Sequence, residues 1–351
     1  MAIADRIEPA TPRKPRNPQV VGVVMYLLAA LFFAINGVLG KSAIEAGLDP
    51  LPLVELRNAG AMVILIVIVA IVRPRAFRVT KKELPFLVVY GVLAFTLVQF
   101  LYFFTISRVP VGVGTLLAFL APIIVALYVK FVRKQPVRSR IWLAIFLTLL
   151  GLALVAQVWQ GLTLDSVGLM SGLLLAFFLA LYWILGESGQ GHRDALSLTM
   201  WGFIFSTVTW SIIAPWTRFP FQALTENAAP MRPGWPGLPI WLVMLIGIVF
   251  GTVISFLLVL GSLRRLGAAR AGIVGTSEPV WAGILALLFL GETLTLIQGL
   301  GGLIVIAGII VAETSRAQHV TTGEFPVPEQ SLPDSTAGAT DTTTDTPAAP
   351  N

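Results

Sequence analysis

Ten apolar runs of 17 to 23 residues follow one another between Gln19 and Ala312, parted by short polar stretches, and this succession decides the fold class. A helix needs about 20 apolar residues to cross a hydrocarbon core of ~30 Å, and only a segment that satisfies its own backbone hydrogen bonds is tolerated there. The runs are Gln19–Gly40, Leu51–Val72, Leu84–Thr105, Val111–Val132, Ile141–Gln157, Ser166–Gly186, Ala195–Ile213, Ile240–Leu260, Ala268–Leu290 and Leu294–Ala312. A membrane β-barrel would alternate apolar and polar residues in pieces of about ten, a pattern this chain lacks. With 56% hydrophobic and 12% charged residues and a mean hydropathy of +0.85, the chain reads as an all-α membrane protein with ten transmembrane helices. The first run is too long for the apolar centre of a signal peptide and reads as a retained span.

The basic residues test this count. Taken alternately, the stretches between spans place 19 of the 24 lysines and arginines on the side of the N-terminus, the largest groups being Arg73–Lys82 and Lys130–Arg140. Only Lys41, Arg57, Arg108, Arg218 and Arg232 fall on the other side. Such a bias marks the cytoplasmic face, so both termini are expected in the cytoplasm of a multi-pass plasma-membrane protein. The net charge of +6 therefore reports orientation and gives no reason to expect nucleic acid. Residues 1–18 read as a flexible cytoplasmic tail, and 319–351, rich in Thr, Ala, Pro and Asp, as a disordered one. There is no cysteine, which excludes disulfides and thiolate chemistry, and His192 and His319 lie outside the apolar runs.

The spans occur twice over. Ala30–Lys41 lies on Ala176–Glu187 with Ala30, Phe32, Ala34, Leu39 and Gly40 matched, and Leu120–Gln135 lies on Ser277–Glu292 without a gap, pairing Pro122 with Pro279. The same register pairs Arg108 with Arg265 and Gly151 with Gly308. Five spans repeated once are two inverted repeats, because five is odd, and repeats of that kind place a substrate site near the midplane between the halves.

On these residues the chain resembles the EamA family of the drug/metabolite transporter superfamily. The resemblance is carried by the Pro122 and Pro279 helices, by the block from Ser277 to Ile309, by Arg57 near the start of span two and by the five-plus-five architecture. It divides the chain into a first repeat at 19–157 and a second at 166–313. It implies transport of small metabolites, amino acids or amphiphilic drug-like compounds, commonly outward, and says nothing of the coupling ion. Where the family often carries Gly-Glu after the first proline helix, this chain has Lys134-Gln135, which puts a symmetric carboxylate pair in doubt.

Glu278 reads as the carboxylate clearly inside a span. It follows Arg270 by eight residues, about 12 Å along a helix. A charge there costs roughly 2.5 to 3.5 kcal/mol unless it is paired, protonated or faces a cavity. It is expected to line the pathway and to meet a cationic group of the substrate or take up a proton; a hydrogen bond to Thr276 or Ser277 would be the structural alternative. Asn36, Gln99, Tyr102, Tyr182 and Trp183 are polar or amphipathic residues inside spans one, three and six, and with Ser277 and Trp281 complete the expected substrate-binding set. Interhelical hydrogen bonds and aromatic packing would account for any one of them equally well. Trp142, Trp159, Trp210, Trp216 and Trp241 are expected at headgroup level and Trp201 deeper. Arg57 is expected to snorkel or to pair with a loop acid, and Glu292 to cap span ten. The glycines of span ten suit either a homodimer interface or close packing within one subunit.

The alternatives are a facilitator or exchanger without ion coupling and, from a different class, an intramembrane enzyme. The latter would need clustered acids, Ser with His, or a metal-binding His pair within the membrane, and none is present in the sequence. The expected partners are a small-molecule substrate, the lipid bilayer and, if Glu278 titrates, protons. No cofactor is expected.

Overall fold

The structure, a computed structural model, describes residues 18–134, 139–156, 164–190, 193–230, 234, 236–266 and 274–316. The two tails lie outside these residues except for Pro18, where the first helix begins, and Trp159, His192 and Arg270 lie outside them as well. Among the described residues the chain is helical, apart from one isolated bridge between Asn227 and Pro239.

The helices are α1 (Pro18–Glu45), α2 (Pro50–Val72), α3 (Leu84–Arg108), α4 (Val111–Phe131), α5 (Arg140–Ala156), α6 (Ser166–Gln190) and α7 (Ala195–Ile213). After a long loop come α8 (Ile240–Ser262, continuing to Leu266), α9 (Ser277–Leu290) and α10 (Leu296–Arg316). Seven of them, α1 to α4 and α6 to α8, are long and apolar enough to cross a membrane, while the apolar parts of α5, α9 and α10 are shorter. Their outward faces are apolar, with Val67, Ile71, Phe146, Met170 and Leu303 exposed, as lipid contact requires.

Local chemistry sets the helix ends. Prolines in the first turn of α2 fit its start, because the missing N–H has no partner there in any case. Asp194 caps α7 by accepting from the Ser197 N–H at 2.8 Å. Gly291, at φ 65°, closes α9 in the left-handed conformation that only glycine adopts without strain. α10 opens on a reciprocal pair in which Thr295 N–H donates to Gln298 Oε1 (3.0 Å) and Gln298 N–H to Thr295 Oγ1 (3.3 Å). Glu292 is therefore not the cap of α10 that the sequence suggested.

Two kinds of irregularity interrupt the long helices. α4 breaks at Phe119–Leu120, just before Pro122, and a turn at Thr276 separates the helical residues 274–275 from α9, just before Pro279, since proline removes a backbone donor and crowds the preceding turn. The continuous span expected from Ala268 is thus interrupted at Thr276, and 267–273 lie outside the described residues. α3 and α8 each widen into a π-helical segment, Tyr90–Thr96 and Val249–Ile254. In each, a threonine hydroxyl donates to the carbonyl of the glycine five residues back: Thr96 to Gly91 (3.1 Å) and Thr252 to Gly247 (3.2 Å).

α1 packs on α8 and α9, α6 on α3 and α4, α2 on α7, α4 on α9 and α5 on α10. The last contact is backbone to backbone. A Cβ on Gly151 would stand 2.6 Å from the Gly301 carbonyl oxygen, and one on Gly308 2.4 Å from Thr148 Oγ1. Two glycines of α10 are therefore spent inside the chain. Trp142, beneath Lys130 at 4.2 Å, and Trp241 are exposed near helix ends as expected, but Trp210 is buried against Phe100. Trp201 reaches back to the Ala76 carbonyl in the loop after α2.

Candidate functional site

One set of polar groups inside the helices lies where α1, α2, α3 and α8 meet, with α9 packed against α1. Arg57, eight residues into α2, is 4% exposed. Its guanidinium donates to Asn36 Oδ1 on α1 and to Thr252 Oγ1 on α8 (2.7 Å), and lies over the Phe103 ring at 4.8 Å from the centroid. It does not snorkel, and among the described residues no carboxylate forms an ion pair with it. Glycine makes this meeting possible: a Cβ on Gly251 would lie 2.4 Å from Asn36 Cβ. The cavity beside Arg57, lined by Asn36, Gly40, Leu53, Phe103, Met244 and Gly247 among others, measures about 10 Å³. That is room for no more than one water.

Tyr102, on α3, lies beside this group. Its hydroxyl sits against Gly37, where a Cβ would come within 2.5 Å, and shares a hydrogen bond with Thr115, whose own proton goes to the Val111 carbonyl. Tyr102 is within electrostatic reach of both Arg57 and Glu278. Glu278 stands in the first turn of α9, and among the described residues its carboxylate forms no ion pair. The neighbouring Ser277 hydroxyl is buried and unpartnered, and Trp281 packs beside the core of α1, α2 and α8. Gln99, half-buried one turn before Tyr102, shares its face of α3.

Asn36, Tyr102, Ser277, Glu278 and Trp281 are thus brought into one region of the molecule. Tyr182 is placed elsewhere, stacked on Tyr90 at 5.8 Å and edge-on to Phe95 in the aromatic cluster of α3, α6 and α7. Trp183 packs between α6 and the second half of α4. Sequence reasoning missed three features. Arg57 was read as peripheral, although a helix starting at Pro50 already carries it about 10 Å inward. Glu55, 2% exposed with Oε1 unpartnered, is a second carboxylate inside a span, so Glu278 is not the only one. Asn58 donates to Ser206 Oγ (2.7 Å), which shares a hydrogen bond with the Thr96 hydroxyl (3.0 Å), tying α2, α3 and α7 together.

Each end of the helical bundle carries an ionic cluster. At one, Lys41 Nζ donates to the Ile106 carbonyl (2.6 Å) and faces Glu292 at 3.9 Å, while Glu292 accepts the Val111 N–H (2.8 Å). Burial holds the Glu292 carboxyl above the usual carboxylate range, against the lowering by the Val111 N–H and Lys41. At the other, Arg73 pairs with Asp194 (2.7 Å) and Arg193 with Glu83 (3.1 Å). The Thr80 N–H, and then Arg193, hold Glu83 below the usual range.

The family model described as "EamA-like transporter family" matches residues 20–157 and 166–314. The threonine/homoserine exporter RhtA of Escherichia coli (strain K12) is 28% identical over 81% of this chain and 89% of its own. An uncharacterized transporter of Clostridium kluyveri is 22% identical over 84% and 94% respectively. A solved crystal structure superposes on 86% of this chain and 99% of that one with a TM-score of 0.56 at 15% identity, a likeness that bears on the fold alone.

Proposed function

This chain belongs to the EamA-like transporter family, and on that premise we propose that it is a secondary transporter that exports small zwitterionic metabolites, amino acids foremost, across the plasma membrane by alternating access. The observation that carries this reading is a buried guanidinium, Arg57, and a half-buried carboxylate, Glu278, which form no ion pair among the described residues and both lie within electrostatic reach of Tyr102. Buried charges are stable only when paired, and each costs several kcal/mol when it is not. An α-amino acid supplies both missing partners at once. Its carboxylate meets Arg57 and the amides and hydroxyls around it, and its ammonium meets Glu278. In the absence of substrate, a proton on Glu278 removes the same charge, which makes that residue the point at which proton coupling would enter. The E. coli relative's name, threonine/homoserine exporter, agrees with this substrate class.

Ten spans in two inverted repeats, with both termini cytoplasmic, form the frame of the proposal. The paired irregularities support it: proline breaks at Phe119–Leu120 and Thr276, and π segments at Tyr90–Thr96 and Val249–Ile254, fall at matching places in the two halves. Packing of α1 on α8 and α9 repeats as packing of α6 on α3 and α4. Exchanging the halves also carries Asn36 to Tyr182, which explains why each packs against a π segment and why the two are not neighbours. A cavity of about 10 Å³ beside Arg57 is far below the roughly 300–1,000 Å³ of ligand pockets, so α1 and α8 must part to admit substrate.

Efflux from proteoliposomes preloaded with a panel of amino acids and amphiphilic cations, with and without a pH gradient, tests the proposal. The expected result is export of one or more amino acids in preference to the cations. Export of the cations alone would assign the site to drug-like amphiphiles instead.

A further inference from the structure

At the end of the molecule where basic residues collect, the loop after α2 and the start of α7 enclose an open cleft of about 770 Å³, lined by Arg73, Arg75, Arg78, Arg193, Glu83 and Asp194. Its walls are pinned. Arg193 donates to the Ala76 carbonyl (2.9 Å), to the Arg78 carbonyl and to Ser197 Oγ (3.0 Å), and Trp201 Nε1 donates to the Ala76 carbonyl from the other side (3.2 Å). Both acids are occupied. Asp194 accepts from Arg73 and from the Ser197 N–H, and Glu83 from Arg193 and the Thr80 N–H. Arg75 and Arg78 remain exposed with no acid of the lining left for them, and Lys81 and Lys82 follow closely in sequence.

One wall of the cleft is Val72 at the end of α2; Ile71, its neighbour in the chain, and Leu84 and Val88 at the start of α3, which follows Glu83 of the lining, are exposed apolar residues. Both helices thus lead away from the lining with exposed apolar residues, the kind of surface that acyl chains cover. Orientation by positive charge needs only the number of basic residues, not a fixed concavity whose acids are already neutralised. A cationic cleft bordered by apolar helix faces complements an anionic amphiphile, and basic pockets between helices on the cytoplasmic side suit lipid headgroups. We propose that this cleft binds the phosphate of an anionic phospholipid of the cytoplasmic leaflet, held by Arg75 and Arg78, with the acyl chains along α2 and α3. The choice of leaflet rests on the orientation adopted under the proposed function; the binding itself does not.

The test is native mass spectrometry of the full-length protein in detergent with phosphatidylglycerol, phosphatidylcholine or glycerol 3-phosphate added at equal concentration. Phosphatidylglycerol should be retained in preference to phosphatidylcholine, and Arg75→Ala/Arg78→Ala should lower its retention about tenfold or more. A control pair from another basic stretch, Lys134→Ala/Arg140→Ala, should leave retention unchanged. Melting temperatures of both doubles report folding, and the single Arg75→Ala replaces the double if that fails to fold. No preference between the two lipids, an equal loss in the control pair, or glycerol 3-phosphate binding as well as the lipid would each overturn the proposal, the last by assigning the cleft to free phosphate. Transport activity is not read, so failure here leaves the amino-acid reading standing.

Discussion

Replacing Arg57 by lysine keeps one positive charge but gives up the planar fork that reaches Asn36 and Thr252 together. The Arg57→Lys protein should fold, as detergent melting will show, and its KM for an exported amino acid should rise about tenfold or more. Two carboxylates outside the spans, Glu83 and Glu292, give pH signatures of opposite sign. Glu83 is held below the usual range, so its stabilisation is complete above that range and is lost as pH falls through its lowered value. Glu83→Gln should therefore melt lower than wild type at neutral pH and match it in strong acid. Glu292 is held above the usual range, so the protein gains stability as pH falls from neutral through its raised value. That gain should be absent from Glu292→Gln, whose side-chain carbonyl can still accept the Val111 N–H. Melting curves from pH 8 down through the acid range check both.

At the scale of elements, α5 and α10 meet backbone to backbone, and a Cβ on Gly301 would stand 2.7 Å from the Gly151 carbonyl oxygen. Gly301→Val forces these backbones apart and should lower stability by about 1–3 kcal/mol or more, read as a lower melting temperature or folded yield, whereas Gly299→Val, in open space, should be neutral. The helices themselves were legible because apolar length is an unambiguous signal, but the breaks before Pro122 and Pro279 were not, because the apolar runs continue through both prolines. Nor were the π segments. One extra residue per turn leaves the apolar count unchanged, and the bonds of Thr96 and Thr252 to glycines five residues back appear only once the helix has formed. The misreading of Arg57 and the oversight of Glu55 share one cause: hydropathy locates a span but not which of its faces meets another helix. Trp210 was misplaced for the same reason, since closeness to a helix end does not settle whether a ring points to lipid or to Phe100.

For the whole molecule, orientation and symmetry are the claims at stake. Reporter fusions that are active only outside the cytoplasm should be active when inserted near Gly47 or Gly234, and silent near Arg78 or Arg133. Activity at Arg78 would reverse the orientation. The charge count is the ground for the proposed orientation, while the matched breaks and π segments support only the proposed symmetry. What spacing could not reveal was that Arg57 and Glu278, 221 positions apart, both lie within electrostatic reach of Tyr102. The measurement that bears most directly on the central claim uses the best amino acid of the efflux panel, its amino alcohol lacking the carboxylate, and its hydroxy acid lacking the ammonium, as competitors of efflux in wild type, Arg57→Gln and Glu278→Gln. Zwitterion recognition predicts that wild type prefers the amino acid to both analogues, that Arg57→Gln no longer distinguishes it from the amino alcohol, and that Glu278→Gln no longer distinguishes it from the hydroxy acid. Discrimination that stays at the wild-type level in both folded variants would contradict it.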